Sequence, residues 1–423
     1  MTETWSTAAV ASVAALLLLI LISCFSRINV GVLGLALAWL IGVAVAGLPA
    51  AEVVGGFPTN LLLTLLGVTL LFGVAEANGT LERLAVRAVG LARGRRALVP
   101  VILFAVAFGI SSVGPGAILA VAVTAPLAMA IGARAGVAPF VIALVVANGA
   151  NAGNLSPVSA VGVIANTKMA EAGLPGHEGK VFLAGALSHL LVTALAVAVL
   201  RWRGGVFRAA APVEPAAVAE APRLGRRDAI TMAVIAIWIV GVVWFRLHLG
   251  FSAFAAAGLL LLLGQVEERA AFRTVPIGII VMVTGMSTLV ALLETTGGME
   301  VFSSLLARLA TGATVNGVMG FVTGLISTYS STSAVVLPAF LPTAPGVAAQ
   351  VGGDPVAVSL SITVGSALVD VSPLSTLGAL CVAAVADPEQ STRLFRQLLV
   401  WGLTMVIAGA LVVQLFAGLL AGL

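Results

Sequence analysis

Asn148-Gly149-Ala150-Asn151-Ala152-Gly153-Asn154-Leu155-Ser156-Pro157-Val158-Ser159 is the stretch whose reading decides the fold. It lies inside an otherwise apolar run, Ala138–Ala165, long enough to cross a bilayer, for which a helix needs about 20 residues. So many amides and hydroxyls cannot face lipid on a plain helix, and Pro157 removes a backbone donor. The stretch reads as the unwound middle of a discontinuous helix that lines a cavity.

A second run, Val356–Val385, is interrupted in the same way between Gly365 and Ser375. Ser156-Pro157-Val158-Ser159-Ala160-Val161-Gly162 aligns with Ser372-Pro373-Leu374-Ser375-Thr376-Leu377-Gly378 at an offset of 216, which places Gly149 on Gly365 and Asn154 on Asp370. Far upstream, the segment from Glu76 through Gly79 to Glu82 aligns with that from Glu294 through Gly297 to Glu300 at an offset of 218. Two matches at nearly one offset, inside the same order of segments, mark an internal repeat.

The rest of the chain fits that repeat. Spans are expected at Thr7–Cys24, Ile28–Gly47 and Thr59–Ala77, followed by an amphipathic segment, Gly79–Arg96, suited to the interface. The run Ala97–Gly132 is cut at Ser111-Ser112-Val113-Gly114-Pro115-Gly116 into two arms too short to cross comfortably, and reads as a re-entrant hairpin. The discontinuous helix and a span at Lys180–Leu200 complete the first half. In the second half, Ala229–Leu247, Phe251–Val266 and Val275–Glu294 are spans, Gly298–Ala310 is the interface helix, and Asn316–Pro345 is a hairpin cut at 327–333. The second discontinuous helix and Phe395–Leu420 follow. The expected fold is an all-α polytopic membrane protein of two inverted-topology repeats, each with five crossings, one re-entrant hairpin and one discontinuous helix. The division is 1–200, a linker 201–228 rich in Ala, Pro and Arg, and 229–423.

Composition agrees. Apolar types make up 60% of the 423 residues and charged types only 9%, where a soluble domain carries roughly a quarter. The first apolar run reads as a transmembrane helix rather than a signal peptide, because its lead-in carries Glu3 and no Lys or Arg. The net charge of +4 does not imply nucleic acid, since the basic residues lie between spans. Seventeen of the 21 fall on the side reached after the first span, leaving Lys168, Lys180, Arg246 and Arg308 opposite. The positive-inside rule makes the richer side cytoplasmic, with the linker inside and both termini outside a cell (inner) membrane.

A solute in mid-membrane needs polar partners that cost little when the site is empty: half-helix N-termini, unwound carbonyls, hydroxyls and amides. The substrate-binding candidates are Ser112, Gly114, Asn151, Ser156, Ser159, Ser331, Thr332, Ser372, Ser375 and Thr376. The cation-binding candidates are Ser111, Asn148, Asn154, Ser330, Ser333, Ser366 and Asp370. Asp370 is the one acidic residue deep inside an expected span, where carboxylates are costly and usually functional. Glu76 and Glu294 sit at span ends and read as anchors or caps; His189 reads as packing. Cys24 and Cys381 show no metal or redox spacing. No Walker-type loop, nucleophile elbow or HExxH is present, so neither catalysis nor a cofactor is expected.

Ser112-Val-Gly-Pro-Gly-Ala117, followed by the segment from Val146 to Pro157, resembles the malonate/dicarboxylate carrier group of the ion transporter superfamily, whose relatives include the divalent anion/sodium symporters. The resemblance implies a homodimer with a scaffold and a moving transport domain. It also implies transport of a small organic anion, dicarboxylate-like, coupled to sodium by an elevator-type motion. In the symporters each hairpin tip carries Ser-Asn-Thr; here the tips read Ser111-Ser112-Val113 and Ser331-Thr332-Ser333, without the Asn. A proton-coupled transporter or a cation/proton antiporter using Asp370 stays open as the alternative.

Overall fold

The structure, a computed structural model, describes residues 5–26, 28–90, 95–206 and 223–422. Most of the expected linker, 207–222, and Arg27 and Arg93 of the charge pattern lie outside the described residues.

The described chain is helical throughout. In the first half, α1 (Thr7–Phe25), α2 (Val30–Leu40, prolonged by a π turn to Val45), the short α3 (Ala50–Gly55) and α4 (Thr59–Ala77) precede α5 (Thr80–Gly90). Next come the hairpin α6 (Val99–Val113) and α7 (Gly116–Arg134), the broken pair α8 (Pro139–Asn154) and α9 (Ala160–Glu171), and α10 (Glu178–Trp202). The second half is α11 (Arg226–Phe245), α12 (Leu249–Leu262), α13 (Glu268–Thr274), α14 (Ile277–Thr296), α15 (Gly298–Ala307) and α16 (Val315–Tyr329). The return arm of its hairpin is irregular: a π turn at Thr332–Val336, α17 (Leu337–Phe340), a 3-10 turn and α18 (Ala344–Val351). Pro338 and Pro342 explain why it never settles into one helix. The broken pair α19 (Pro355–Leu368) and α20 (Thr376–Ala383) and the long α21 (Pro388–Gly422) close the chain.

The repeat is written in the helix ends. α6 and α16 begin at 99 and 315 and end at 113 and 329; α8 and α19 begin at 139 and 355, α9 and α20 at 160 and 376, all 216 apart. α4 and α14, and α5 and α15, start 218 apart. At this register Ser111-Ser112-Val113 corresponds to Ser327-Thr328-Tyr329, which corrects its pairing with Ser331-Thr332-Ser333.

Two other expectations shift at their edges. α11 starts at Arg226, inside the expected linker, because the Gly225 N–H donates to Asp228 Oδ2 (2.8 Å) and closes the first turn. α21 starts seven residues before Phe395, because the Glu389 N–H donates to Asp387 Oδ1 (2.9 Å) and caps a polar extra turn.

Packing follows the repeat. α2 lies on α14 and α12 on α4, each through glycines that let backbones approach, as small residues do in membrane bundles. A methyl on Gly285 would sit 2.0 Å from the Gly31 carbonyl oxygen, and one on Gly67 2.4 Å from that of Gly250. Where α8 meets α19, Asn151 Nδ2 donates to the Ala367 carbonyl at 3.2 Å. Residues 151 and 367 are each other's repeat mates, so the pseudo-symmetry axis passes between them. Arg83 ties the start of the second half to α5: its Nη2 donates to the buried Asp228 Oδ1 at 2.7 Å, which also accepts from Thr80.

Eight helical segments among the described residues are long and apolar enough to cross a bilayer by length and composition, two of them, Ala50–Ala77 and Thr332–Val351, built from more than one helix. Their outward faces are apolar, with Ile237, Trp244 and Leu419 well exposed. That is the surface expected of a protein whose outer solvent is lipid.

Candidate functional site

The first hairpin turns at Gly114 with φ +156°, where a methyl would lie 1.9 Å from the Phe72 ring; only glycine fits. Its tip is fastened to the first helix break twice. The Gly114 carbonyl accepts from the Ala160 N–H (3.0 Å), and the Ala117 N–H donates to Asn154 Oδ1 (2.9 Å). The second tip is fastened to the second break by side chains instead. Thr332 Oγ1 donates to Asp370 Oδ1 (2.7 Å), Ser327 Oγ reaches the same oxygen (3.4 Å), and those two hydroxyls bond to each other. Ser331 caps the return arm by accepting from the Ala334 N–H (3.2 Å), and Ser330 pairs with Ser23 of α1 (2.8 Å).

The breaks are alike in backbone. Ser159 Oγ donates to the Asn154 carbonyl, and its mate Ser375 Oγ to the Asp370 carbonyl. Each closes the loop that Pro157 or Pro373 opens. A methyl on Gly162 or Gly378 would press within 1.9 or 2.1 Å of the Ser156 or Ser372 carbonyl oxygen. Both glycines let the second half-helix fold back tightly on its break.

Both tips and both breaks meet around one cavity of about 190 Å³, smaller than the roughly 300–1,000 Å³ of sites for drug-sized ligands. Of the sequence candidates, Asn154, Ser330, Ser331, Thr332, Ser333, Asp370, Ser375 and Thr376 line it. Its floor also holds Pro115–Ala117 and Ala160–Val161, so the N-termini of α7, α9 and α20 converge there. No Lys, Arg or His is in the lining. The positive ends of three helices supply a field that suits an anion, with the Ala117 and Ala160 N–H groups themselves already taken by Asn154 Oδ1 and the Gly114 carbonyl. Asp370, whose Oδ1 takes two hydroxyls, supplies what a cation or a proton can bind. Among the described residues no group of three or more His, Cys, Asp or Glu is placed to hold a metal ion.

The remaining candidates stand behind this lining. Ser112 bonds back to the Phe108 carbonyl (2.7 Å) and Ser366 to that of Ile362 (2.6 Å). Ser111 is buried with its hydroxyl unpaired. Gly114, Asn151, Ser156, Ser159 and Ser372 shape the tips and breaks without reaching the cavity wall. Asn148 is held by His189, whose Nδ1–H donates to its Oδ1 at 2.9 Å. His189 is therefore more than packing, and Asn148 is turned away from the cavity. The helical pattern hinted at neither, because the partners are 41 residues apart. Glu76, expected as a helix-end anchor, also lines the cavity together with Thr69, Thr274 and Pro276. The apolar wall between, with Leu65, Ile164 and Ile280, is indistinguishable in sequence from lipid-facing residues.

Residues 6–154 match the family described as the dicarboxylate carrier protein MatC N-terminus, the group that the hairpin and helix-break motifs resemble. No curated protein matches the chain. Among solved structures it is similar to the Alcanivorax borkumensis YdaH transporter, reported to have an unusual topology, at 17% identity with a TM-score of 0.62, over 97% of this chain and 98% of that one. Over residues 6–154 the chain is similar to the dicarboxylate carrier N-terminal family, and over nearly its whole length it shares the fold of a solved transporter.

Proposed function

We propose that this protein is a secondary active transporter of a small organic anion, dicarboxylate-like, coupled to sodium. The observation that carries the reading is the cavity where two hairpin tips and two helix breaks meet, lined by three helix N-termini and by Asp370. The match of residues 6–154 to a dicarboxylate carrier domain supports the anion class. With no basic side chain in the wall, a dianion meets Asp370 as a like charge unless cations enter with it. Coupling follows, and linkage makes it reciprocal: the cation raises affinity for the anion by the factor by which the anion raises affinity for the cation. The hairpins and breaks form the moving body of an elevator-type motion against α4 and α14, in a homodimer of the inner membrane with both termini outside and the linker cytoplasmic. In that orientation the cavity, ending at Glu76, Thr274 and Pro276, opens to the cytoplasm.

Purified protein in proteoliposomes tests the reading. Malonate, succinate or a related dicarboxylate should accumulate under an inward sodium gradient and fail to do so in choline. The second reading, proton coupling or cation/proton antiport through Asp370, is favoured by the Thr332 and Ser327 hydroxyls on its one oxygen. Accumulation under a pH gradient without sodium would select it.

A further inference from the structure

The first hairpin tip fixes the level at which α4 meets the cavity. Gly114 turns that tip against the Phe72 ring, so the start of α7, at Gly116, stands beside Phe72. Glu76 lies four residues further along α4, on the same face, a rise of about 6 Å at about 1.5 Å per residue. Glu76 and the first residues of α7, Gly116 and Ala117, both line the cavity. A separation of that order suits the two ends of a short-chain diacid.

The two ends of that span differ in chemistry. Where the N-termini of α7, α9 and α20 converge, the helix field suits a carboxylate. At the Glu76 end the polar side chains of the lining accept and have nothing left to donate. Thr69 Oγ1 donates to the Leu65 carbonyl at 2.6 Å, and Thr274 Oγ1 to that of Ala271 at 2.8 Å, so each hydroxyl hydrogen is spent on its own helix. Glu76 Oε2 is buried and has no hydrogen-bond partner among the described residues. The cavity's other carboxylate, Asp370, already takes the Thr332 and Ser327 hydroxyls. Leu65, Ile164, Ile280 and Pro276 complete the wall near Glu76 and offer no donor. An acceptor taken out of water without a donor is costly, and a ligand that brings one relieves that cost. A fully ionised diacid brings none: its second carboxylate would meet Glu76 as acceptor to acceptor, charge to like charge.

We infer that Glu76 sets the far-end chemistry of the ligand. The species bound is a monoanion whose carboxylate lies at the helix N-termini and whose other end donates a hydrogen bond to Glu76 Oε2. For a dicarboxylate that species is the half-acid, with its one remaining O–H directed at Glu76. This deepens the organic-anion reading and rests on it for the carboxylate end.

Two pairs of compounds test the inference, because their far ends do not ionise: malonamate against monomethyl malonate, and succinamate against monomethyl succinate. Within each pair the carboxylate and the chain are kept, and only the amide can donate. Dissociation constants are taken from thermal-shift titrations of purified protein in sodium at neutral pH. The wild type should favour the amide by about ten-fold in the pair whose length fits. Glu76→Gln, whose side-chain amide both donates and accepts, should bind the ester better and bring that ratio to within about two-fold. Equal affinity for amide and ester in both pairs, or a preference for the ester, overturns the inference. That comparison uses the wild type alone and stands even where Glu76→Gln fails to fold. An unchanged ratio in folded Glu76→Gln protein overturns it as well. If none of these compounds binds, nor malonate nor succinate, the organic-anion reading itself falls and takes the inference with it.

Discussion

Asn154 and Asp370 occupy the same place in the two halves and do different work. Around both, the backbone is the same: a serine five residues on bonds back to the carbonyl, a proline breaks the helix, and a glycine three residues beyond that serine seats the next half-helix. The side chains diverge. Asn154 accepts a backbone N–H at the start of α7, a neutral cap. Asp370 gathers two hydroxyls from the other tip. The hairpins diverge in step: Gly114 turns the first at φ +156°, and its mate Ser330 turns the second at φ −127°. The repeat preserves the geometry that makes a cavity and frees one position in it to carry a charge.

The largest expected effect breaks that difference. Asp370→Asn makes the two positions alike, and gradient-driven accumulation should fall to background while counterflow and folding persist, measured in paired proteoliposome assays. Wild-type accumulation by the Asn variant would reduce Asp370 to a structural hydrogen-bonding residue.

Gly114→Ala tests the other half of the comparison. Its methyl meets the Phe72 ring at 1.9 Å on a backbone that disfavours L side chains, so strain and overpacking together should cost about 3–5 kcal/mol. Ser330→Ala, at ordinary backbone angles, should cost less than about 1 kcal/mol, the order of the one hydroxyl contact to Ser23. Detergent thermal shifts of the two variants should differ accordingly; equal shifts would mean the tips turn alike.

Where the halves agree, paired variants should agree. Gly67→Ala and Gly285→Ala each push a methyl to 2.4 and 2.0 Å from a facing carbonyl oxygen. Each should destabilise by about 1–3 kcal/mol, read by the same thermal assay. A neutral result for one alone would show that its interface has room the repeat does not predict.

A small effect is also expected from Asn154→Ala, which removes one cap from α7 and should cost about 1 kcal/mol. Its uptake should keep the wild-type dependence on the coupling ion, unlike any change at Asp370. A shifted ion dependence in this variant would make Asn154 a cation ligand rather than a cap.

Much of this molecule was legible in the chain. Spans, hairpins and helix breaks follow from local facts: runs of apolar residues, a Gly-Pro-Gly at one tip, prolines at 157 and 373, and the repeated Ser-Pro pattern. Lipid makes such signals strong, because every backbone group must be satisfied within the chain and few arrangements do so. The spacing of 216 even foretold the matching helix ends. What the tertiary structure alone decided was direction and state. Whether a serine faces the cavity, like Ser331, or its own helix, like Ser366, depends on the rotation of a helix against neighbours hundreds of residues away. That His189 holds Asn148, and that Glu76 lines a cavity with Thr274 and Pro276, are likewise contacts between segments that no local pattern joins. A near-symmetric sequence specifies both halves alike; only packing decided that the cavity lies beside α4 while the mirrored face of α14 is packed.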